Sequence, residues 1–341
     1  MRNPRRRRTW EETRRAAVPH RAGIHLAIPN SQNAWAVILG GSSGFGLATA
    51  ETLARNGVNV CIVHRDRRGA MSRIEPAFEG IRQTGVSLLT YNRDALDAMV
   101  RTTILDELAA HLAPIGGKVS VLLHSIAFGN LKLIAKEAPK ERSAAKNLAS
   151  ALGVEPERLQ QAVDELLRAG VSELGPLGSP ATYSSSSLLE EEDMARTVHA
   201  MGTSLLSWTQ ELHTRGLFAP QACVLGLTSE GNTVAWKGYA AVSAAKAALE
   251  AVSRSIAVEL APYGIRSNIV QAGVTDTAAL RLIPGSEHLL AQARLRNPSR
   301  RLTTPQDVAQ VLYLLSRPEA AWINGEVIRV DGGEHIAGGW S

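Results

Sequence analysis

Trp35-Ala36-Val37-Ile38-Leu39-Gly40-Gly41-Ser42-Ser43-Gly44-Phe45-Gly46 is the stretch that decides how this 341-residue chain is organised. Its first five residues are apolar and β-prone, the pattern of a buried strand. Glycines then end the strand at once. A helical pattern follows, with Leu47, Ala50, Leu53 and Ala54 on one face and Gly57 just past its C-terminus. Strand, glycine-rich turn and helix in direct succession have a defined chemistry. Gly40 allows the tight turn. Gly44 and Gly46 let the backbone approach a pyrophosphate and let the helix pack on the strand. The N–H groups that open the helix then face the anion.

Reading outward, a strand over 58–63 leads to a basic turn, His64-Arg65-Asp66-Arg67-Arg68, and a helix. A strand over 86–90, a helix over 96–112 and a strand over 119–124 come next. This alternation predicts βαβ units and a parallel sheet. It stops over 131–193, a 63-residue insertion with one amphipathic helix near 157–169 and a Gly-, Pro- and Ser-rich stretch over 170–187. Connections this long are usually functional or mobile rather than structureless core. This one leaves the C-terminal end of the fourth strand, where ligands bind in open α/β sheets, so it is expected to shape the pocket. Alternation resumes with a helix over 194–214, strands over 222–228 and 266–271, and a long helix over 239–261 between those strands. A helix opening at Pro305 behind Thr304 and a strand over 326–330 end the pattern. The fold class expected is α/β: one doubly wound parallel sheet of Rossmann type, with a partly helical segment inserted after the fourth strand. The expected organisation is a basic tail, 1–30, and one domain, 31–341, interrupted by 131–193.

Composition narrows the function. A hydrophobic share of 45% and a charged share of 20% suit a globular protein. The net charge of +5 is misleading, because residues 1–22 carry eight arginines and a net charge of +6, and the rest is close to neutral at −1. A basic tail on a neutral body argues against a nucleic-acid partner. No apolar run is long enough to span a membrane, and no apolar segment follows the arginines as a secretory signal requires, so a cytoplasmic protein is expected. Cys61 and Cys223 lie in apolar runs and read as buried thiols, with no metal site expected.

The spacing G-x3-G-x-G of Gly40, Gly44 and Gly46 resembles the short-chain dehydrogenase/reductase family, although Leu39 stands where that family usually has threonine. The resemblance implies a nicotinamide dinucleotide held by Gly40, Ser42, Ser43, Gly44, Phe45 and Gly46. Past the second strand an acidic residue favours NAD and basic residues favour a 2′-phosphate. Asp66 lies too far beyond the strand to serve. His64 and Arg65, with Arg67 and Arg68, point to NADP(H) over NAD(H). Asp94 and Ala95 match the adenine position, and Ser125-Ile126-Ala127 resembles the Ser-Ile-Gly of enoyl-acyl-carrier-protein reductases. Ala272, Gly273, Val274 and Thr277 resemble that branch's Ala-Gly-x-x-x-Thr, which implies Thr277 on the phosphates and Val274 on the carboxamide.

Tyr239 and Lys246 are seven residues apart, two helical turns, and so share a face. An ammonium nearby favours the phenolate and strengthens the phenol as a donor. Most members of the family carry tyrosine four residues before the lysine, where this chain has Val242; Tyr-x6-Lys resembles the bacterial enoyl-acyl-carrier-protein reductases. Their second tyrosine is replaced by Ser229, the position of the catalytic serine in carbonyl-reducing members. Catalytic Tyr239, Lys246 and Ser229 are therefore expected. The leading expectation is an NAD(P)H-dependent reductase (EC 1.3.1 type) of the C=C bond of an enoyl thioester, carried by acyl-carrier protein or CoA, in fatty-acid or polyketide-type metabolism. Two others stand beside it: a 3-ketoacyl-type carbonyl reductase using Ser229 and Tyr239, and a non-catalytic NADP-binding scaffold. The segment 278–301 is expected to cover the substrate, with Arg294, Arg296, Arg300, Arg301, Lys132 and Lys136 as candidates for its phosphates. The family resemblance implies a homotetramer with the 239–261 helix in an interface.

Overall fold

The computed structural model describes residues 33–137, 144–179, 181–183 and 187–338, so the basic tail expected over 1–30 lies outside them. Seven strands form one sheet among the described residues: β1 Ala34–Leu39, β2 Asn59–His64, β3 Leu88–Asn92, β4 Lys118–His124, β5 Phe218–Thr228, β6 Arg266–Ala272 and β7 Val327–Val330. Every pair is parallel, in the order β3-β2-β1-β4-β5-β6-β7. The order reverses between β1 and β4, which opens a crevice at the carboxyl ends of those strands. The helices are α1 Gly44–Arg55, α2 Met71–Arg82, α3 Ala98–Leu112, α4 Ala144–Leu152, α5 Pro156–Arg168, α6 Glu191–Val198, α7 Ser204–Thr214, α8 Ala240–Glu259, α9 Ser286–Arg296 and α10 Pro305–Ser316.

The five inner strands are largely buried on both faces, so they read as apolar runs, while the edge strands β3 and β7 are partly exposed. Side chains alternate along β1. Trp35, Val37 and Leu39 pack with Ile104 and Leu108 of α3, Trp208 of α7 and Leu249 of α8. Ala36 and Ile38 pack with Leu53 of α1, Phe78 of α2 and Leu312 of α10. Cys61 and Cys223 are free thiols in these cores, and burial pushes them up to about 12 and about 11. Thr304 caps α10, its hydroxyl accepting the Asp307 N–H at 3.2 Å, and the Arg301 guanidinium beside Asp307 lowers that carboxyl to about 2.

Four local expectations shift. β3 starts at Leu88, two residues late, because Val60 pairs with Leu88 and the Asn59 side chain takes the Ser87 N–H. β5 starts at Phe218, four residues early, and bends at Gln221, whose φ is +66°. The helix expected over 194–214 begins at Glu191, where Asp193 accepts the Glu190 N–H, and a π turn at His199–Thr203 divides it. There a Cβ on Gly202 would lie 2.6 Å from the Ala245 carbonyl, so the turn brings the helix against α8. Tyr239 is the cap of α8 rather than its first helical residue. The insertion also holds a helix, α4, in addition to the amphipathic one expected there.

Gly46 sits inside α1 where a Cβ would collide with the Gly40 carbonyl oxygen. Gly46→Ala is expected to push α1 off the turn. Overpacking of this kind costs about 1–3 kcal/mol. Urea unfolding measures the loss, and a nucleotide titration should show binding gone with it.

Candidate active site

A cavity of about 660 Å³ opens at the reversal point, lined from the glycine turn at one end to Tyr239 and Glu334 at the other. The turn is built from β1. The Gly40 N–H bonds the Val63 carbonyl at 2.8 Å and the Ser125 N–H bonds that of Leu39 at 2.8 Å, so the ends of β1, β2 and β4 are tied together. A Cβ on Gly40 would lie 2.6 Å from the Ser125 oxygen. Gly44 has φ +54°, and the nearest atom to its missing Cβ is Thr277 Cγ2 at 3.8 Å, so its face is open to the cavity. The first-turn N–H groups of α1 have no carbonyl four residues back and form an anion cradle. Ser42, Ser43 and Phe45 complete it. This cradle fits a dinucleotide pyrophosphate.

The next group is less simple than expected. His64 is the last residue of β2, buried, with its Nδ1 2.8 Å from Asp66 Oδ2 and its ring edge-on to Phe78. His64 lines the cavity all the same, with its Nδ1 already engaged by Asp66. Asp66 also lines the cavity, because β2 runs one residue further than expected. Arg65 donates to Asp94 at 2.6 Å and lies over the Phe128 ring at 4.9 Å. Asp94 in turn accepts the Leu96 N–H at 3.0 Å, and the Ala95 carbonyl accepts from Trp208 Nε1 at 2.9 Å. Ser125, Ile126 and Ala127 line the cavity beside them.

At the other end Tyr239, Ser229 and Lys246 converge. The turn after β5 carries Ser229 and is fixed to α8: Thr228 and Asn232 donate to Glu250, and Ser243 donates to the Gly231 carbonyl. A Cβ on Gly231 would lie 2.5 Å from Tyr239 Cε1, so only glycine lets this turn press on the phenol ring. Ser229 Oγ is buried and, among the described residues, lacks a hydrogen-bond partner. Burial pushes the Tyr239 phenol up, and the Ser229 hydroxyl beside it works the other way. The expected lowering by the Lys246 ammonium is corrected here: Lys246 Nζ donates to the Leu227 carbonyl at 2.8 Å. Burial lowers Lys246 to about 8. His124, buried beneath it, is lowered to about 3 by burial and by Lys246, and is neutral.

Ala272, Gly273, Val274 and Thr277 line the same wall. The Val274 N–H donates to Glu334 Oε2 at 3.1 Å, so it is already engaged at the cavity wall. Thr277 Oγ1 accepts the Leu280 N–H at 3.2 Å, which leaves its own proton to donate. Several cations expected for substrate phosphates have internal partners instead. Arg301 pairs with Asp307 and Lys132 with Asp193, and Arg296 donates to Glu230 at 2.7 Å and Glu334 at 2.6 Å. Burial pushes the Glu334 carboxyl up against the pull of Arg296. Glu230, Glu334 and Trp236 line the cavity, and no sequence motif marks them.

Among its described residues, the insertion lines the cavity through Leu131 alone, at its root. Its helix α5 and the turn Ser172–Leu177 pack instead on the outside of α9, through Val163, Leu167 and Leu174 against Ala291. The His288 ring of α9 sits between the Gly175 carbonyl at 3.0 Å and that of Ser179 at 2.6 Å. Residues 280–289, on the other side, line the cavity with Leu280, Leu282, Ile283 and Leu289. Among the described residues no His, Cys, Asp and Glu cluster is placed to hold a metal, and no helix is long and apolar enough to cross a membrane.

Comparison with known proteins agrees with this geometry. A family model described as short chain dehydrogenase matches residues 34–151, and one described as Enoyl-(Acyl carrier protein) reductase matches 175–335. The short-chain reductase protein NovJ of Streptomyces niveus is 25% identical over 315 residues, 89% of this chain and 94% of that protein. The enoyl-[acyl-carrier-protein] reductase [NADH] of Escherichia coli (strain K12) is 36% identical over 123 residues, 36% of this chain and 47% of that one. A solved short-chain dehydrogenase/reductase from Serratia marcescens shares the fold, with a TM-score of 0.64 at 19% identity over 89% of this chain and 98% of its own.

Proposed function

This chain belongs to the short-chain dehydrogenase/reductase superfamily of nicotinamide-dependent oxidoreductases, and we propose that within it the protein reduces the C=C bond of an enoyl thioester with NADPH. The observation that carries this reading is the Tyr239 phenol. It is partly buried at the end of the cavity away from the glycine turn, two helical turns before Lys246, while Val242 fills the nearer position with an apolar, buried side chain. The surrounding wall of Leu131, Met201, Leu280, Ile283 and Leu289 suits an acyl chain.

Gly40, Ser42, Ser43, Gly44, Phe45 and Gly46 would hold the pyrophosphate, Asp94 and Ala95 the adenine side, and Lys246 and Thr277 the nicotinamide side. When bound, the cofactor would supply the hydride for the β-carbon, and solvent water the proton for the α-carbon. Tyr239, kept protonated by burial, donates a hydrogen bond to the thioester carbonyl and stabilises charge as it develops on that oxygen. Lys246 orients the ribose and adds a positive field. Arg65 is the feature that favours NADPH, and Asp66 beside it is the opposing charge. Fluorescence titration with NADPH and NADH tests the choice; tighter NADH binding overturns it.

Ser229 favours a second reading. An unpartnered buried hydroxyl beside a phenol is a two-donor site for a ketone. Cofactor oxidation with crotonyl-CoA against acetoacetyl-CoA separates the two; turnover of the ketone alone removes the enoyl reading. A non-catalytic scaffold predicts binding without turnover of either. On the leading reading the protein is a cytoplasmic homotetramer, with α8 in an interface, drawing its substrate from fatty-acid or polyketide-type metabolism. Its organisation is one domain, 31–341, interrupted by 131–193, behind a basic tail.

Lys246 sets a pH dependence. Burial lowers it to about 8, so the ammonium is present below that pH and lost above it. The profile of kcat/KM, which reports groups of the free enzyme, is expected to fall above pH 8. A profile flat to pH 10 shows that the charge of Lys246 is not needed.

A further inference from the structure

Tyr239 caps α8 with φ −107° and ψ 3°, so no helical hydrogen bond fixes its own N–H. That N–H bonds the Trp236 carbonyl at 3.2 Å, closing a turn over 236–239. Where the phenol points therefore depends on where this turn sits. Its inner side faces the cavity through Trp236. Its outer side is covered by the insertion. Tyr183 Oη donates to the Lys237 carbonyl at 3.3 Å. The Tyr183 ring lies against Gly238, whose φ is +69°, with Cε1 3.0 Å from where a Cβ would be. From the other end of the insertion Leu131 approaches the same point at 3.8 Å, and Glu137 pairs with Lys237 Nζ at 3.0 Å.

Residues 131 and 137 precede the insertion's helices and residue 183 follows them, so its two ends meet on the turn that carries the phenol. The Lys237–Glu137 pair is solvent-exposed and contributes little. The aromatic ring is the rigid part of the contact. It occupies the space that the missing side chain of Gly238 leaves open, and it stops the turn from moving outward. We propose that Tyr183 is a positioning residue for Tyr239, and that the insertion works as an internal brace on the 236–239 turn. This rests on the reading of Tyr239 as the donor to the substrate carbonyl.

Displacing a catalytic group by about 1 Å costs up to about 100-fold, so Tyr183→Ala is expected to lower kcat with crotonyl-CoA and NADPH by about 10- to 100-fold. KM and the NADPH dissociation constant should stay as they are, since neither contact changes. Tyr183→Phe keeps the ring and should remain close to the parent. The discriminating measurement is a double-mutant cycle: in a Tyr239→Phe background, Tyr183→Ala should have no further effect, because it acts only through the phenol. Full kcat in Tyr183→Ala, or an equal loss in both backgrounds, overturns the brace while leaving the donor reading intact. Full activity in Tyr239→Phe alone overturns the donor reading and the brace with it. If Tyr183→Ala does not fold by its melting curve, Tyr183→Leu is measured in its place with the same expected and overturning results.

Discussion

Tyr239→Phe is expected to lower kcat for crotonyl-CoA reduction by about 10²–10³-fold, the loss found when one donor to a developing oxyanion is removed. The substitution deletes one hydroxyl and leaves the ring, which still packs against Gly231 and Val242. Stability and NADPH affinity should therefore change little. The loss should fall on kcat, because the phenol meets the carbonyl most strongly when that oxygen carries charge. Ser229 cannot fully replace it, since its hydroxyl is set by the turn after β5 rather than by the 236–239 turn. Single-turnover kinetics of cofactor oxidation measure the step directly. An unchanged rate would remove Tyr239 from the chemistry and favour a binding role for the protein.

Arg296→Met is expected to destabilise the protein by about 3–5 kcal/mol, the usual result of removing one partner from a buried ion pair. Arg296 ends α9, and its guanidinium reaches Glu230 beside Ser229 and Glu334 beyond β7. The side chains are 25%, 13% and 2% exposed, in that order. Without the arginine two carboxylates face each other with little water. Urea unfolding at pH 7 measures the deficit, and adding Glu334→Gln should recover much of it. The pH dependence has a definite sign. Burial already holds the Glu334 carboxyl above its ordinary value, and loss of the guanidinium raises it further. A carboxyl raised in the folded state destabilises while ionised, so the variant's deficit should narrow as pH falls through the folded value. A deficit below about 1 kcal/mol would place the triad with ordinary surface pairs.

Much of this was legible in the sequence, and the reasons are physical. Apolar runs such as 35–39 and 119–124 are visible because a parallel sheet covered on both faces needs apolar side chains at every position. The glycine turn is visible because three positions have no room for a Cβ or must face a ligand. Tyr239 and Lys246 are visible through their spacing. What stayed hidden depends on partners distant in the chain. Nothing near Glu334 announces that it will meet Arg296 and the Val274 N–H. Nothing at Tyr183 announces Gly238. The π turn at His199–Thr203 is set by how closely Gly202 must approach the Ala245 carbonyl, and local propensity carries no trace of that. His64 and Arg65 read alike as basic residues and both line the cavity, but the strand's last pleat buries the His64 ring against Phe78 and leaves Arg65 exposed.

The strand order also bears on how the chain reaches its native state. β3, β2 and β1 are joined through crossovers of about 20–25 residues, and β5, β6 and β7 through ones of about 40–55. β4 is different on both sides: its neighbour β1 ends about 80 residues earlier and its neighbour β5 begins about 90 residues later. Loop-closure entropy grows slowly with length, and about 60 extra residues before β5 add only about 1 kcal/mol to that closure. The cost in time is larger, because rates fall as contacts become less local. The two outer groups of three strands can each collapse from nearby chain, while β4 must find both of its partners across long stretches. It is the seam where the halves of the sheet join, and the crevice that forms the cavity exists only once that seam has closed.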